Sequence, residues 1–146
     1  MSGLRFDDFS PGIIPSQTHA VIDYIQAGVN IFAAAHFSKH GNARAGYAAA
    51  ILGAGVLINA WMTDYHYGVF RVWGLKTHGI LDYAIAAASV ACPRLFDIDY
   101  KPDAAFFYAQ GGGETLIAGI SDYTDDSGAK RQLEPVSRRF RERVAG

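Results

Sequence analysis

Four long stretches of this sequence are almost entirely apolar or small, and short polar segments separate them. They cover residues 18–37, 45–63, 77–93 and 104–121. Only three charged residues lie inside them, and these are Asp23, Asp82 and Glu114. Each stretch has the length of a transmembrane helix, which needs about 20 mostly apolar residues. A soluble four-helix bundle would instead carry charged residues on the outer face of each helix about once per turn. The pattern therefore predicts an all-α fold, a bundle of four transmembrane helices.

Composition adds three constraints to this picture. Small residues are common, since nine of the 19 residues in 45–63 are Ala or Gly, and small residues let helices approach closely in lipid. The net charge of −1 argues against a nucleic-acid-binding protein. The single cysteine, Cys92, excludes an internal disulfide framework. The polar, acidic start of the chain lacks the features of a cleavable signal peptide, so the first helix is expected to act as its own insertion signal.

The distribution of Lys and Arg predicts the orientation of the spans. With four spans, both termini and the loop at 64–76 lie on one side, and that side carries nine Lys and Arg residues. The other side carries four. Because positively charged segments stay on the cytoplasmic side of the membrane, we expect a bacterial inner-membrane protein with both termini in the cytoplasm.

The chain contains an internal repeat. Residues 18–24, Thr-His-Ala-Val-Ile-Asp-Tyr, recur 59 positions later as Thr-His-Gly-Ile-Leu-Asp-Tyr at 77–83. The triplet Thr-Asp-Tyr at 63–65 recurs 58 positions later as Ser-Asp-Tyr at 121–123. Because each repeat holds two helices, the two halves are expected to run parallel, related by a pseudo-twofold axis along the membrane normal. The predicted parts are an N-terminal cytoplasmic segment (1–16), a first hairpin (17–65), a connecting loop (66–76), a second hairpin (77–123) and a basic cytoplasmic tail (124–146).

This topology places the repeated polar motifs at one end of the bundle. The Thr-His-x-x-x-Asp-Tyr motif begins the first and third helices, and the Thr/Ser-Asp-Tyr motif ends the second and fourth. In an up-down-up-down bundle, all four points lie on the cytoplasmic face. The polar residues expected in or near this layer are His19, Asp23, Asp64, His78, Asp82 and Asp122.

The repeated motifs are similar to those of the small bacterial membrane proteins called SPW-repeat proteins. The similar segments are residues 15–24, 53–55, 63–72 and 78–82, so the resemblance spans about 15–123. In that family each odd helix tends to end in Ser/Ala-Pro-Trp, whereas the third helix here carries Cys92-Pro93-Arg94. The resemblance implies a duplicated helical membrane protein, and it implies no particular reaction.

Three interpretations of the inward-facing polar residues stay open. His19 and Asp23 are four residues apart and share a helix face, as do His78 and Asp82. In a structural interpretation, they satisfy free backbone N–H groups and each other, and they fix the packing of the helices. In a second, they form a His2Asp2 site for Zn, Mn or Fe, or the two histidines are the axial ligands of a haem. In a third, a proton or solute pathway runs through residues in the middle of the spans.

The third interpretation depends on Glu114 and its neighbours. Glu114 occupies the position of Val56 in the first repeat. Helix rise places it about 12 Å from Asp122, near the level of Gln26 rather than that of His19. Glu114 is therefore expected to pair with other polar residues rather than to complete a metal site. The expected partners are Gln26, Asn30 and Asn59.

Two further groups of residues have less specific expected roles. The acidic residues Asp64 and Asp122 are expected to accept hydrogen bonds from the histidines or the tyrosines. The tyrosines of the repeated motifs, with Trp61 and Trp73, are expected to form an aromatic belt at the membrane interface. These tyrosines are Tyr24, Tyr65, Tyr83 and Tyr123.

The C-terminal tail and the lack of a reaction motif complete the functional prediction. After Pro135, Val136, Phe140 and Val144 share one face of a short basic helix, which either contacts anionic lipid or a partner or is a solvated terminus. The sequence contains no hydrolase triad, phosphate-binding loop or Cys-x-x-Cys. It therefore predicts a non-catalytic structural or accessory subunit of an inner-membrane assembly, in contact with lipid and with partner proteins or further copies of itself. A membrane protein that binds a metal or haem is the alternative.

Overall fold

The computed structural model describes residues 11–124, and within them the chain forms four α-helices. These are α1 (Ser16–Lys39), α2 (Ala43–Met62), α3 (Leu75–Leu95) and α4 (Lys101–Ile120). Each helix coincides with one of the apolar stretches, so the all-α, four-helix prediction is confirmed. The predicted cytoplasmic segment up to residue 10 and the predicted basic helix after Pro135 lie outside the described residues.

Local sequence determines where the helices begin and end. α1 starts directly after Pro15, which has an extended backbone. Between α1 and α2, Gly41 adopts a φ of +88°, a conformation that glycine reaches without a steric penalty. Asn42 then caps α2, because its side chain accepts a hydrogen bond from the backbone N–H of Ala45 at 3.1 Å. Pro102 lies in the first turn of α4, where the missing N–H has no helical partner to lose.

The four helices pack as two hairpins, α1 along α2 and α3 along α4, and contact between α2 and α3 joins the hairpins. Equivalent glycines allow the close approach within each hairpin. A Cβ atom on Gly53 would lie 3.4 Å from the carbonyl oxygen of Ala27, and one on Gly111 would lie 2.8 Å from that of Ala86. The repeat seen in the sequence is therefore also a repeat of helix packing.

The segments that flank the helices repeat the same contacts. The end of α2 pairs with the segment before α3 through a parallel bridge between Thr63 and Trp73, and the end of α4 pairs with the segment before α1 through Ser121 and Ile14. The backbone N–H of Asp64 donates to the carbonyl of Trp73 at 2.8 Å, and that of Asp122 donates to Ile14 at 2.8 Å. All four motif segments therefore meet at one end of the bundle, as predicted.

The interior of the bundle is apolar at the end away from the motifs and mixes apolar and polar residues toward the motif end. The end away from the motifs holds an apolar cluster that includes Ala33, Phe37, Leu52, Cys92 and Phe107. The motif end holds a second cluster of Ala20, Ala60, Tyr65, Leu75 and Tyr123. Buried polar residues lie among and between these clusters, and they include His19, Asp23, Asn30, Asn59, His78, Asp82, Ser89 and Glu114.

Among the helices of the described residues, α2 is the one that has both the length and the average hydropathy of a membrane span, and half of its most apolar window is buried in the bundle. The other three helices contain all of the buried His, Asp and Glu residues, which lower their average hydropathy. The prediction of four membrane spans is therefore supported for α2 by length and composition, and for α1, α3 and α4 it stays a prediction.

Candidate metal centre

Two histidines and two aspartates meet at the motif end of the bundle. One ligand atom from each of His19, Asp23, His78 and Asp82 lies within 4.8 Å of the others. α1 supplies the first pair and α3 the second, and in each pair the two residues are one helical turn apart. All four side chains are buried, with exposures between 0% and 3%. We call these four residues the His–Asp cluster.

Each imidazole directs its Nε2 atom at both carboxylates. His19 Nε2 lies 3.3 Å from Asp23 Oδ1 and 3.2 Å from Asp82 Oδ2. His78 Nε2 lies 3.3 Å from Asp23 Oδ2 and 3.3 Å from Asp82 Oδ2. The contact of His19 Nε2 with Asp82 Oδ2 is within hydrogen-bonding distance, although charge-assisted hydrogen bonds are typically shorter, about 2.7–2.9 Å. Nitrogen and oxygen ligands about 2.0–2.2 Å from a tetrahedral ion are about 3.3–3.6 Å from each other. The observed separations are close to these ligand-to-ligand distances.

Hydroxyl groups at the helix ends fix the tautomer of both histidines. The Thr63 hydroxyl donates to the carbonyl of Asn59 at 2.6 Å, so it accepts the Nδ1 proton of His78 at 2.7 Å. The Ser121 hydroxyl donates to the carbonyl of Ile117 at 2.7 Å, so it accepts the Nδ1 proton of His19 at 2.6 Å. With the ring proton on Nδ1, a neutral imidazole has its lone pair on Nε2. The Nε2 atoms of both rings therefore face the cluster, where His19 Nε2 is within hydrogen-bonding distance of Asp82 Oδ2 at 3.2 Å, and His78 Nε2 is buried with no hydrogen-bond partner among the described residues.

Three further side chains hold the carboxylates. The hydroxyl of Tyr65 donates to Asp23 Oδ2 at 3.2 Å, and that of Tyr123 donates to Asp82 Oδ2 at 3.0 Å. Asn59 donates to Asp82 Oδ1 at 2.8 Å. Burial and the neighbouring carboxylates raise the pKa of both tyrosines, so each remains a donor at neutral pH. Such outer hydrogen bonds orient metal ligands in proteins.

The mid-span polar residues lie deeper in the bundle than the cluster, as expected. Glu114 is buried and interacts with the side chain of Gln26, which was one of its predicted partners. Asn30 donates to the backbone carbonyl of Gln26 at 2.9 Å. Asn59, another predicted partner of Glu114, instead belongs to the surroundings of the His–Asp cluster.

Asp64 and Asp122 have other contacts than the predicted ones. The histidines His19 and His78 and the tyrosines Tyr65 and Tyr123 bond to other residues. Asp64 Oδ1 lies 4.0 Å from Arg71 Nε, and Asp122 Oδ1 accepts hydrogen bonds from the backbone and hydroxyl of Thr124. Asp64 follows the end of α2, and Asp122 follows the end of α4. The backbone there is extended, so the neighbours on either side of each aspartate face the cluster and the aspartate itself does not.

The assignment of all motif tyrosines to an interfacial belt is also wrong. Tyr65 is only 2% exposed and Tyr123 9%, and both contact the cluster. The signal was present in the sequence, because the Thr/Ser-Asp-Tyr triplet recurs with a hydroxyl at its first and third positions. Trp73 is half-buried, and its indole N–H donates to Asn59 Oδ1 at 3.2 Å.

The His–Asp cluster fits a single ion and does not fit a haem. In a haem with two axial histidines, the porphyrin fills the plane between the two rings. Here Asp23 and Asp82 fill that space, because their oxygens lie 3.2–3.3 Å from both Nε2 atoms. The centroids of the imidazole rings are also only 5.1 Å apart, too close for a porphyrin and two iron–nitrogen bonds to lie between them.

Comparison of the chain with protein-family models, with curated proteins and with solved structures gives no match. The similarity to SPW-repeat proteins thus remains a resemblance of motifs.

Proposed function

We propose that this protein binds one divalent transition-metal ion in the His–Asp cluster, between the two hairpins of a bundle embedded in a bacterial inner membrane. The observation that carries the proposal is the position of the two Nε2 atoms, which face the same two carboxylates at 3.2–3.3 Å. Imidazole and carboxylate ligands suit Zn, Mn and Fe. His78 Nε2 has no hydrogen-bond partner among the described residues, although both carboxylates lie 3.3 Å from it.

The expected role of the ion is to join the two halves of the bundle. Each hairpin supplies one histidine and one aspartate, so an ion at this position has ligands from both. Sites in which the protein supplies all four ligands are typical of structural rather than catalytic metals. A structural ion is consistent with the predicted role as a non-catalytic accessory subunit, which is part of the proposal.

The outer surface of the helices supports a membrane location. Every exposed residue within 18–35, 45–62, 77–93 and 104–120 is uncharged, whereas His19, Asp23, Asp82 and Glu114 are buried. Large apolar side chains point outward, among them Ile25 (61% exposed), Phe32 (74%), Ile51 (61%) and Leu116 (62%). Polar residues inside and apolar residues outside is the arrangement expected of helices in lipid, where ionisable groups face the bundle interior.

Metal analysis of the purified protein tests the first part of the proposal. The full chain is extracted in mild detergent without a chelator, and its metal content is measured by mass spectrometry. We expect one ion per chain in the native protein. The Asp82→Asn variant keeps the shape of the side chain but lowers the ligand charge, and His78→Gln removes a nitrogen ligand. We expect both variants to lose the ion.

An exposed histidine pair provides the matched control. His36 and His40 are four residues apart on α1, at the opposite end from the cluster, and their rings are 4.2 Å apart. A His36→Ala/His40→Ala variant removes this pair and should retain the full metal content. If this variant loses the ion while His78→Gln keeps it, the proposed centre is wrong.

Fractionation of cells tests the membrane location independently of metal content. We expect the protein to remain in the membrane pellet after washing at alkaline pH, which releases peripheral proteins, and to require detergent for extraction. Recovery as a monomer in detergent-free buffer would contradict this part of the proposal and leave the metal measurement unaffected.

A further inference from the structure

Beyond the His–Asp cluster, the interior of the bundle stays polar for about two more helical turns. His19 and Ser121 are in contact at the cluster. Gln26 and Glu114 are each seven residues from this pair along α1 and α4, which corresponds to a rise of about 10 Å. The equal spacing explains why Gln26 and Glu114 meet each other.

A second polar level lies one turn farther from the cluster. Asn30 and Gln110 are each eleven residues from the contacting pair His19 and Ser121, and Ser89 is eleven residues from His78. The rise along each helix is about 16 Å, so three helices present a polar side chain at the same depth. Asn30 and Ser89 are completely buried.

One polar atom of each of these three side chains has no hydrogen-bond partner in the part of the chain that the structure describes. Asn30 Oδ1, Ser89 Oγ and Gln110 Nε2 are all buried and unpartnered among the described residues. Asn30 Oδ1 is an acceptor, Ser89 Oγ is a hydroxyl oxygen, and Gln110 Nε2 is a donor. Buried water molecules typically satisfy two to four such groups, whereas dry cavities are lined by apolar side chains.

We infer that the bundle encloses a hydrated compartment next to the His–Asp cluster, bounded by Gln26, Asn30, Ser89, Gln110 and Glu114, and that its ligand is water. Glu114 lies close enough to the cluster to interact electrostatically with His19, Asp23 and Asp82. The inference does not depend on the proposed metal.

The compartment ends at the next turn of the helices. Ala33, Cys92 and Phe107 belong to the apolar cluster at the far end of the bundle. Cys92 is three residues beyond Ser89 on the same inner face of α3 and is 5% exposed. Positions 89 and 92 therefore offer a matched comparison between a hydrated level and a dry one.

Cysteine alkylation tests the compartment in the full-length protein in membranes. Iodoacetamide crosses lipid but reacts with the thiolate, which forms readily only where water or polar groups stabilise it. The first chain is the Ser89→Cys variant with Cys92→Ala, and the second is the native chain with its single Cys92. We expect the thiol at position 89 to react at least about tenfold faster than Cys92.

A second pair on α1 protects the test against a variant that fails to fold. Asn30→Cys and Ala33→Cys, both with Cys92→Ala, repeat the comparison between the hydrated level and the next turn. Thermal unfolding in detergent identifies variants that have lost the native fold. Equal, slow alkylation within the folded pairs would show a dry interior, and equal, fast alkylation would show that the whole bundle admits water. Either result would overturn the inference.

The two proposals fail separately. The alkylation rates are measured with and without prior treatment with a chelator. We expect position 89 to react faster than position 92 under both conditions. If the purified protein contains no metal but position 89 still reacts faster than position 92, the metal centre is refuted and the compartment is supported.

Discussion

His78 donates its Nδ1 proton to the hydroxyl of Thr63, and these two atoms are 2.7 Å apart. Thr63 directly follows α2 in the first hairpin, whereas His78 lies on α3 in the second. The equivalent bond joins His19 of the first hairpin to Ser121 of the second. Each hairpin thus orients the histidine of the other, and each tyrosine holds the aspartate of its own hairpin. The cluster depends on both halves for its ligands and for their orientation.

The hydroxyl of Thr63 is predicted to matter for metal affinity although it is not a ligand. Thr63→Val preserves the shape of the side chain but leaves His78 Nδ1 without an acceptor, so the ring is free to change tautomer. We expect metal affinity to fall by about 10–100-fold, as for other changes around metal ligands. Competition with a coloured chelator measures this. Thr63→Ser should retain near-native affinity, and Thr77→Val, at an exposed position, is the matched control. Equal affinities in Thr63→Val and the native protein would contradict this role.

The buried tyrosines are predicted to stabilise the fold through the aspartates. Tyr123→Phe removes the hydrogen bond to Asp82, which spans 3.0 Å, and leaves a buried carboxylate with one donor fewer. Hydrogen bonds to charged groups contribute about 1.5–3 kcal/mol, so the free energy of unfolding should fall by about that amount. Thermal unfolding in detergent measures the effect. Tyr67→Phe, at a side chain that is 46% exposed, should change the stability little. Equal stability of the two variants would refute the prediction.

The sequence predicted the helices and the meeting of the four cluster residues for definite physical reasons. Nearly uncharged stretches of about 20 residues are too long for single strands, and the repeated His-x-x-x-Asp spacing places His19 and Asp23 on one face. Antiparallel helices of nearly equal length then bring both copies of the motif to one end. Periodicity and topology were enough, because each of these steps depends on distances along a helix.

The surroundings of the cluster could not be predicted in the same way. Tyr65 and Asp64 are adjacent in the chain, yet one is buried against Asp23 and the other lies near Arg71. Which of them turns inward depends on the extended backbone after α2 and on its bridge to Trp73. Such a bridge joins segments outside the helices, where neither helical spacing nor hydropathy determines the direction of a side chain.

Removal of the ion is predicted to destabilise the native protein through linkage between binding and folding. An ion present at 100 times its dissociation constant stabilises the folded state by about 2.7 kcal/mol. A chelator should therefore lower the melting temperature of the native chain, and Zn, Mn or Fe should restore it. The Asp82→Asn variant is the control, since a chelator should leave its melting temperature unchanged. A native chain that is indifferent to the chelator after metal-rich purification would contradict the proposed joining role.

Neighbouring glycines on α4 are predicted to respond to alanine in opposite directions. A Cβ on Gly111 would lie 2.6 Å from Val90 Cγ2 and 2.8 Å from the carbonyl oxygen of Ala86, whereas one on Gly112 meets nothing within 4 Å. Gly111→Ala must push α3 away from α4, and overpacking of this kind costs about 1–3 kcal/mol. Gly112→Ala should stabilise by up to about 1 kcal/mol, because alanine is the better helix former. Thermal unfolding of the two variants side by side provides the measurement. Equal shifts in the same direction would mean that α3 and α4 do not approach as closely as described, and the packing repeat inferred from Gly53 and Gly111 would fail with them.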